Sequence, residues 1–439
     1  MRMWPLVPSL LFVALAVSGC AAHSALPPES GFGTNPVLPA PDPSLLPTVQ
    51  IPDGRGWPQG AKPKAANGLQ VQPFATQLDH PRWLYVLPNG DVLVAETNSP
   101  PRESPYNFVK SLLFKAGMKR AGAGGASANR LTLLRDANGD GVVETRSVFL
   151  QNLHSPFGMA VVGNTLFVAN TDAIMRYQWQ PGVLNITQSG EKLADLPALP
   201  FNHHWTKNIL ASPDGKFLYA TVGSNSNIGE NGMHNETLRA AILEVDIATG
   251  RTRLFASGLR NPNGLDWHPD TGMLWTVVNE RDELGNDLVP DYLTSVKDGG
   301  FYGWPWSYFG QHVDPRVKPE RPDSVAKAIS PDYALGAHSA AMSLVFYRGT
   351  LLPASYRSGA FIGLHGSWNR QPPSGYKVIF VPFKNGRPAG MPQDVLTGFL
   401  SANAEAAYGR PVGVAVDKHG ALLVSDDVGN TVWRVTPSD

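Results

Sequence analysis

Hydrophobic positions in this chain come in short runs of four to six residues, and most runs stop at a Gly, Asn or Pro-rich turn signal. "DHPRWLYVLPNGDVLVAETN" (79–98) sets the pattern: a polar entry, an apolar strand, Pro-Asn-Gly, then a second strand. "LHSPFGMAVVGNTLFVANTD" (153–172) and "HHWTKNILASPDGKFLYATVGS" (203–224) repeat it, as do "LRNPNGLDWHPDTGMLWTVVNE" (259–280) and "GRPVGVAVDKHGALLVSDDVGNTVWRV" (409–435). A looser copy with a longer turn occupies 337–367. Alternating or continuous apolar runs joined by such turns predict β-hairpins. A unit recurring six times predicts radial repetition, which protects strand edges. The expected fold is all-β: a six-bladed β-propeller of four-stranded antiparallel blades over residues 66–439, closed by a strand from about 67–78 pairing with the last blade. The copies lie about sixty residues apart, more than the roughly 40–50 of compact propeller repeats, so long connecting loops are expected. A basic, Gly/Ala-rich insertion at 111–130 reads as a surface loop or short helix.

Composition narrows the function classes. The formal net charge is zero, which gives no electrostatic footprint for nucleic acid. "MRMWPLVPSLLFVALAVSGC" (1–20) has Arg2 ahead of a short apolar core and ends in Val-Ser-Gly-Cys. It reads as a lipoprotein signal peptide rather than a membrane span. Cys20, the one cysteine in the sequence, is then the lipidated mature N-terminus, and an intramolecular disulfide is ruled out. Residues 21–65 are rich in Pro, Gly and Ala and read as a tether. The expected location is the periplasmic side of a bacterial membrane, the outer one, with membrane contact through the lipid anchor only.

The polar entries of the six copies carry the candidate chemistry. Equivalent positions in a propeller open at one mouth of the central channel, and here they hold His80 and Arg82, His154, His203, His204 and Lys207, Arg260 and Asn261, His338, and Arg410. His365 and Arg370 join from an outgoing loop. So many cationic groups on one rim repel one another unless an anion sits among them. A small polycarboxylate suits such a rim, with arginine as its bidentate partner.

The ordered set "HHWTKNILASPDGKFLYATVGS", "SGLRNPNGLDWHP", "NERDELGNDLVPDYL", "GGFYGWPW" and "YGRPVGVAVD" resembles the soluble pyrroloquinoline quinone (PQQ) dependent sugar dehydrogenases, in particular the L-sorbosone and aldose dehydrogenase branch. The resemblance covers roughly residues 66 to 437. It implies oxidation of an aldose or sugar aldehyde by hydride transfer to PQQ, with electrons passing to an external acceptor, a quinone or cytochrome. His204 matches the base and Arg260 a catalytic cation. Arg260, Asn261, Arg370 and Arg410 match cofactor contacts of the family, and the backbone carbonyls of Glu280 and Arg281 match the calcium ligands; His154, Lys207 and His338, read from the rim itself, are expected to join the cofactor-binding set. His203 stands where the family often has an acidic residue, and Trp205-Thr206 replaces small residues. No Cys-x-x-Cys-His haem motif occurs.

Two other classes remain open on the residues: a calcium-dependent propeller lactonase or hydrolase, which wants side-chain carboxylates converging in the channel, and a non-catalytic binding module. "DANGDGVVE" (136–144) resembles the start of an EF-hand loop, but position twelve is Ser147 rather than glutamate, so it reads first as a hairpin turn. Trp304 and Trp306 are candidates for the substrate mouth, and the loop 223–241 for shaping the sugar site. Asp426-Asp427 reads as a solvated turn. No Gly-rich phosphate loop between a strand and a helix is present, which speaks against NAD.

Overall fold

The computed structural model describes residues 23–42, 48–101 and 108–438; the signal-like segment and Cys20 lie outside the described residues. Six antiparallel sheets follow one another, each with its three inner strands in chain order from the inside out. Their innermost strands are Pro81–Val86, Met159–Val162, Ile209–Ala211, Asn261–Trp267, Ala341–Phe346 and Pro411–Val416. These begin just after the six polar entries, so the propeller and the common position of the entries are both as expected.

The ring closes as the sequence predicts. Leu69–Ala75 supplies the outermost strand of blade 6 by pairing antiparallel with Thr431–Pro437. Blade 4 gains a short fifth strand from Phe32–Gly33, and blade 5 gains Lys64–Ala65 on its outer edge. The segment expected to be a tether is therefore laid against the propeller over its described part. The basic insertion holds a helix, Phe108–Arg120.

Between blades lie stacked apolar layers, such as Trp275, Tyr333, Phe346 and Phe383 between blades 4 and 5. Nearer the axis there is no room for side chains. A Cβ on Gly264 would sit 2.4 Å from the amide nitrogen of Leu344, and one on Gly158 would sit 2.3 Å from that of Ile209. Gly413 faces the carbonyl of Arg82 in the same way, at 2.9 Å. The repeated glycine of "PFGMA", "PNGLD" and "PVGVA" thus lets neighbouring inner strands touch backbone to backbone. The ladders shift register beside two of them, between Pro262 and Leu265 and between Pro411 and Val414. Such bulges re-aim the strand start, and these starts carry the rim residues.

Gly264→Ala tests this packing. Because the obstruction is backbone rather than a flexible side chain, the substitution is expected to destabilise by at least about 1–3 kcal/mol, the usual range for overpacking. A urea unfolding midpoint equal to the wild type would show that the blades do not abut there.

Candidate active site at the channel mouth

Strand direction fixes which loops share the mouth. The connections entering each inner strand and those leaving each second strand lie at one end; the hairpin 87–91 and its equivalents lie at the other. His204, Arg260, His338 and Arg410 enter on the first kind of loop, and Glu280, Arg281, His365, Arg370 and Asp427 on the second. All the predicted site residues are therefore at one end of the molecule. The EF-hand-like turn is at the other, where Asp136, Asp140 and Glu144 bring carboxylate oxygens within 4.8 Å of one another. Those oxygens accept hydrogen bonds from the turn's own amides, such as Gly139 and Gly141 on Asp136.

The His204 imidazole faces the carbonyl of Ser224 through Nδ1, at 2.7 Å. A carbonyl only accepts, so Nδ1 carries the proton and Nε2 is the basic nitrogen of the neutral ring. Gly223 makes this possible: a Cβ there would meet His204 Cβ at 2.5 Å and Asn261 Oδ1 at 2.3 Å. The loop is anchored from behind by buried Glu236, whose carboxylate accepts from the Asn225 amide at 2.7 Å and from the Ser226 hydroxyl. Asn225 in turn accepts the amide of His203 through Oδ1. Burial pushes the Glu236 carboxyl up to about 7.

The bare cationic rim expected from the sequence is instead a ring of charge pairs. Arg82 reaches Asp427 at 2.6 Å, Arg260 reaches Asp282 at 3.0 Å, and Arg370 reaches Asp287 at 3.2 Å. His154 is exposed and paired with Asp172 at 2.9 Å. Although burial opposes it, Arg260 and His338 hold Asp282 down at about 2. His338 is buried against the Gly285 carbonyl at 2.9 Å. Burial lowers its affinity for a proton, but the nearby Asp282 outweighs this and raises it.

Several sequence expectations are corrected here. Asp426 and Asp427 are not a solvated turn; both are buried. Asp426 accepts from the indole of Trp57 at 2.7 Å and the amide of Arg410 at 2.8 Å. Asp427 holds Arg82 and His365. Lys207, expected on the rim, is fully buried; its ammonium donates to Asn202 Oδ1 and to the carbonyls of His204 and Trp205, fixing the His204 turn from beneath. Desolvation and then nearby Arg239 depress its basicity strongly. Arg370 gives its nitrogens to the Asn286 and Pro372 carbonyls, Ser24 and Asp287, and so to its own chain. Trp304 is buried and donates to the Asn227 carbonyl at 2.9 Å, which places it behind the 223–241 loop rather than in the mouth.

Arg410 differs from its neighbours. Among the described residues it has no ion-pair partner; it donates to the carbonyls of His365 and Gly366 and lies over the Tyr376 ring. Buried polar atoms without a partner gather at the same end: Asn225 Nδ2, Asn261 Oδ1, Glu280 Oε1 and Asn369 Oδ1. A cavity of about 330 Å³ opens on the blade 6–blade 1 side, lined by Arg55, His80, Asn98, Asp427 and Asn430 among others.

The TrAA12-like family profile matches residues 125–292 and 312–438, most of the propeller and nearly all of these loops. The chain belongs to the TrAA12-like family. Among relatives of this TrAA12-like protein, an uncharacterised protein of Borreliella burgdorferi is 28% identical over 306 residues, covering 67% of this chain and 79% of that one. The pyrroloquinoline quinone-dependent pyranose dehydrogenase of Coprinopsis cinerea is 24% identical over 362 residues, 72% of this chain but only 44% of its own length. The holo form of that enzyme's PQQ domain superposes with a TM-score of 0.67 at 22% identity, covering 88% of this chain and all (100%) of the domain. The calcium structure of the Trichoderma reesei AA12 protein also gives 0.67, at 18% identity, covering 89% of this chain and 98% of that one. Among the described residues the one group of three closely spaced carboxylates that could hold a metal is the far-end turn of Asp136, Asp140 and Glu144.

Glu236 gives a pH test. Its folded value is raised from 4.5 to about 7, so the folded protein binds the proton more tightly than the unfolded chain. The stability that this proton confers is complete below about pH 4.5 and is lost as the pH climbs through about 7. Glu236→Gln cannot ionise, so the wild-type thermal midpoint is expected to fall relative to the variant between pH 5 and 8. Parallel profiles would mean that Glu236 does not titrate in this range.

Proposed function

We propose that this chain is a PQQ-dependent dehydrogenase that oxidises an aldose or a sugar aldehyde of the L-sorbosone type, with His204 as the base and an external quinone or cytochrome as electron acceptor. The observation that carries the reading is His204: a histidine locked into one tautomer by the Ser224 carbonyl, in the mouth of a propeller of this family. Support also comes from the relatives, one a PQQ-dependent pyranose dehydrogenase and one solved with calcium.

The residues fit the implied groups. PQQ is a small tricarboxylate, and among the described residues no carboxylate pairs with the Arg410 guanidinium, which donates to the carbonyls of His365 and Gly366. The partnerless buried atoms of Asn225, Asn261 and Asn369 are amide groups suited to a polar, multiply hydrogen-bonding ligand. When bound, PQQ would supply the two-electron acceptor that side chains cannot provide. His204 Nε2 takes the proton of the sugar hydroxyl, and the Nδ1–H bond to Ser224 stabilises the resulting imidazolium. Arg260 lies beside Asn227 and Glu280 and gives a fixed cation where negative charge develops. Calcium favours oxygen donors, and the carbonyls of Glu280 and Arg281 are the candidates. The Glu280 carbonyl already accepts from Arg260 at 2.6 Å, so the ion would compete with that guanidinium.

Three variants of the same assay test this. Adding PQQ and calcium to the purified protein should give dye reduction with at least one sugar of an aldose and sugar-aldehyde panel; none with any sugar would end the reading. His204→Gln should lower turnover by roughly 10²–10⁴, the usual weight of a general base, while PQQ is still taken up. Arg410→Ala should weaken PQQ uptake, measured by fluorescence titration, more than it changes the pH profile. Unchanged uptake would remove its carboxylate role.

A further inference from the structure

Two buried polar atoms at the mouth end are left over by the ring of charge pairs. Asp427 holds Arg82 and His365 through Oδ2, while its Oδ1 has no hydrogen-bond partner. His80 Nε2 stands 3.5 Å from that same Oδ2 without a hydrogen bond. His80 and Asp427 are only 8% and 2% exposed, and both line the cavity of about 330 Å³ on the blade 6–blade 1 side. Asn98, also buried, lines it too. Its Oδ1 accepts the Ser99 amide, and among the described residues its Nδ2 has no acceptor.

The outer walls come from two segments that lie outside the blades. Segment 48–57 runs along the mouth: Asp53–Gly54 pairs with Ala406–Ala407, the Arg55 amide donates to the Ala407 carbonyl at 2.9 Å, and Trp57 donates to Asp426. The turn after the helix Phe108–Arg120 abuts this segment. A Cβ on Gly54 would sit 2.9 Å from the carbonyl carbon of Ala121, and Arg120 pairs with Asp53. Gly54 and Arg55 from one segment, and Gly122 and Gly125 from the other, face the cavity. The TrAA12-like match begins at residue 125, so segment 48–57, the blade 1 loops and Gly122 lie outside it. None of His204, Arg260, Asn261 or Arg410 lines the cavity. It stands beside the proposed reaction centre and is joined to it by Asp427, whose amide donates to the Arg410 carbonyl at 3.3 Å.

The lining sets the ligand class. Arg55 is already paired with Asp53 at 3.5 Å, and the carboxylates of Asp79 and Asp427 oppose a free anion. A metal ion needs converging ligands, and among the described residues the one group of three His or carboxylate ligands within 4.8 Å of one another is the far-end turn. What the cavity offers is a donor at Asn98, an acceptor at Asp427 and an imidazole nitrogen at His80 that can serve as either. Hydroxyl groups, each of which both donates and accepts, match that mixture. The volume lies at the small end of ligand pockets, the scale of a sugar ring rather than a polymer.

We propose that this cavity is a second sugar subsite, taking one uncharged ring of a di- or oligosaccharide whose other end reaches the channel. The proposal rests on the sugar dehydrogenase reading, and its first test needs no PQQ. The full-length protein is titrated by calorimetry with neutral disaccharides (maltose, cellobiose, xylobiose, mannobiose and lactose) and with their monosaccharides. At least one disaccharide should bind, and Gly125→Leu should weaken it about tenfold, the equivalent of one or two hydrogen bonds. That side chain enters the cavity without strain: a Cβ at 125 meets only Asn98 Nδ2, at 3.7 Å, and the residue is outside the left-handed region. An unchanged thermal midpoint checks that the variant folds. Asn98→Asp keeps the acceptor for the Ser99 amide but exchanges the free donor for an oxygen, and it should weaken the same disaccharide. No binding by any disaccharide, or equal binding by Gly125→Leu, overturns the proposal. Binding confined to uronates or sugar phosphates shows that the neutral-ring assignment is wrong. In the dye assay with PQQ and calcium, Gly125→Leu should raise KM for the bound disaccharide about tenfold at constant kcat, and raise that of the monosaccharide far less. Equal rises would make the cavity part of the reaction pocket itself and overturn the second subsite. If no sugar reduces the dye, the dehydrogenase reading fails, while the calorimetric titration still decides whether the cavity holds a sugar.

Discussion

A guanidinium removed from water must find acceptors, or the desolvation cost is several kcal/mol. This propeller buries Arg82, Arg260, Arg281 and Arg370 around one channel, and the rest of the mouth is built to satisfy that constraint. Each has a carboxylate supplied by another loop or by the adjacent residue: Asp427, Asp282, Glu280 with Asp314, and Asp287. The pairs also bind the blades to one another. Asp427, from blade 6, is shared among Arg82 of blade 1, His365 of blade 5 and, at 3.5 Å, His80 of blade 1. Breaking one such partner leaves an uncompensated charge, so the rim behaves as a single preorganised unit rather than a collection of loops.

Against that neutralised background Arg410 and His204 stand apart. Arg410 is satisfied by carbonyl groups, which accept hydrogen bonds without cancelling charge. His204 is held by a carbonyl too, which sets its tautomer. Neutral acceptors thus hold these two residues, whereas Arg82, Arg260, Arg281 and Arg370 are held by carboxylates.

The blades were legible because each is written locally: a period-two apolar run, a turn residue and the next run lie within some twenty residues. The closing strand was legible because Leu69–Ala75 is apolar in alternation and has no other partner nearby in sequence. Pairing at the mouth was not legible, because the partners are far apart; Arg82 and Asp427 are separated by 345 positions. Seen locally, Asp426-Asp427 before Val-Gly-Asn has the composition of a solvated turn, and only the arrival of Trp57, Arg82 and Arg410 from elsewhere makes it an anchor. Lys207 shows the same limit: nothing in "HHWTKN" says that its side chain folds back under its own turn. Glu236 was equally hidden: it lies in a polar loop, and only the structure shows its carboxylate buried.

Closing the ring with a strand from the beginning of the domain ties its assembly to synthesis. Among the described strands Thr431–Pro437 is the last in chain order, and its partner Leu69–Ala75 precedes all six inner strands. A chain lacking either strand cannot seal the disc, and an emerging chain keeps an open edge until Thr431–Pro437 arrives. Non-local pairing of this kind is slow to form. Removing either end of the domain would leave the same edge of blade 6 unpaired, because Leu69–Ala75 and Thr431–Pro437 have each other as partners there.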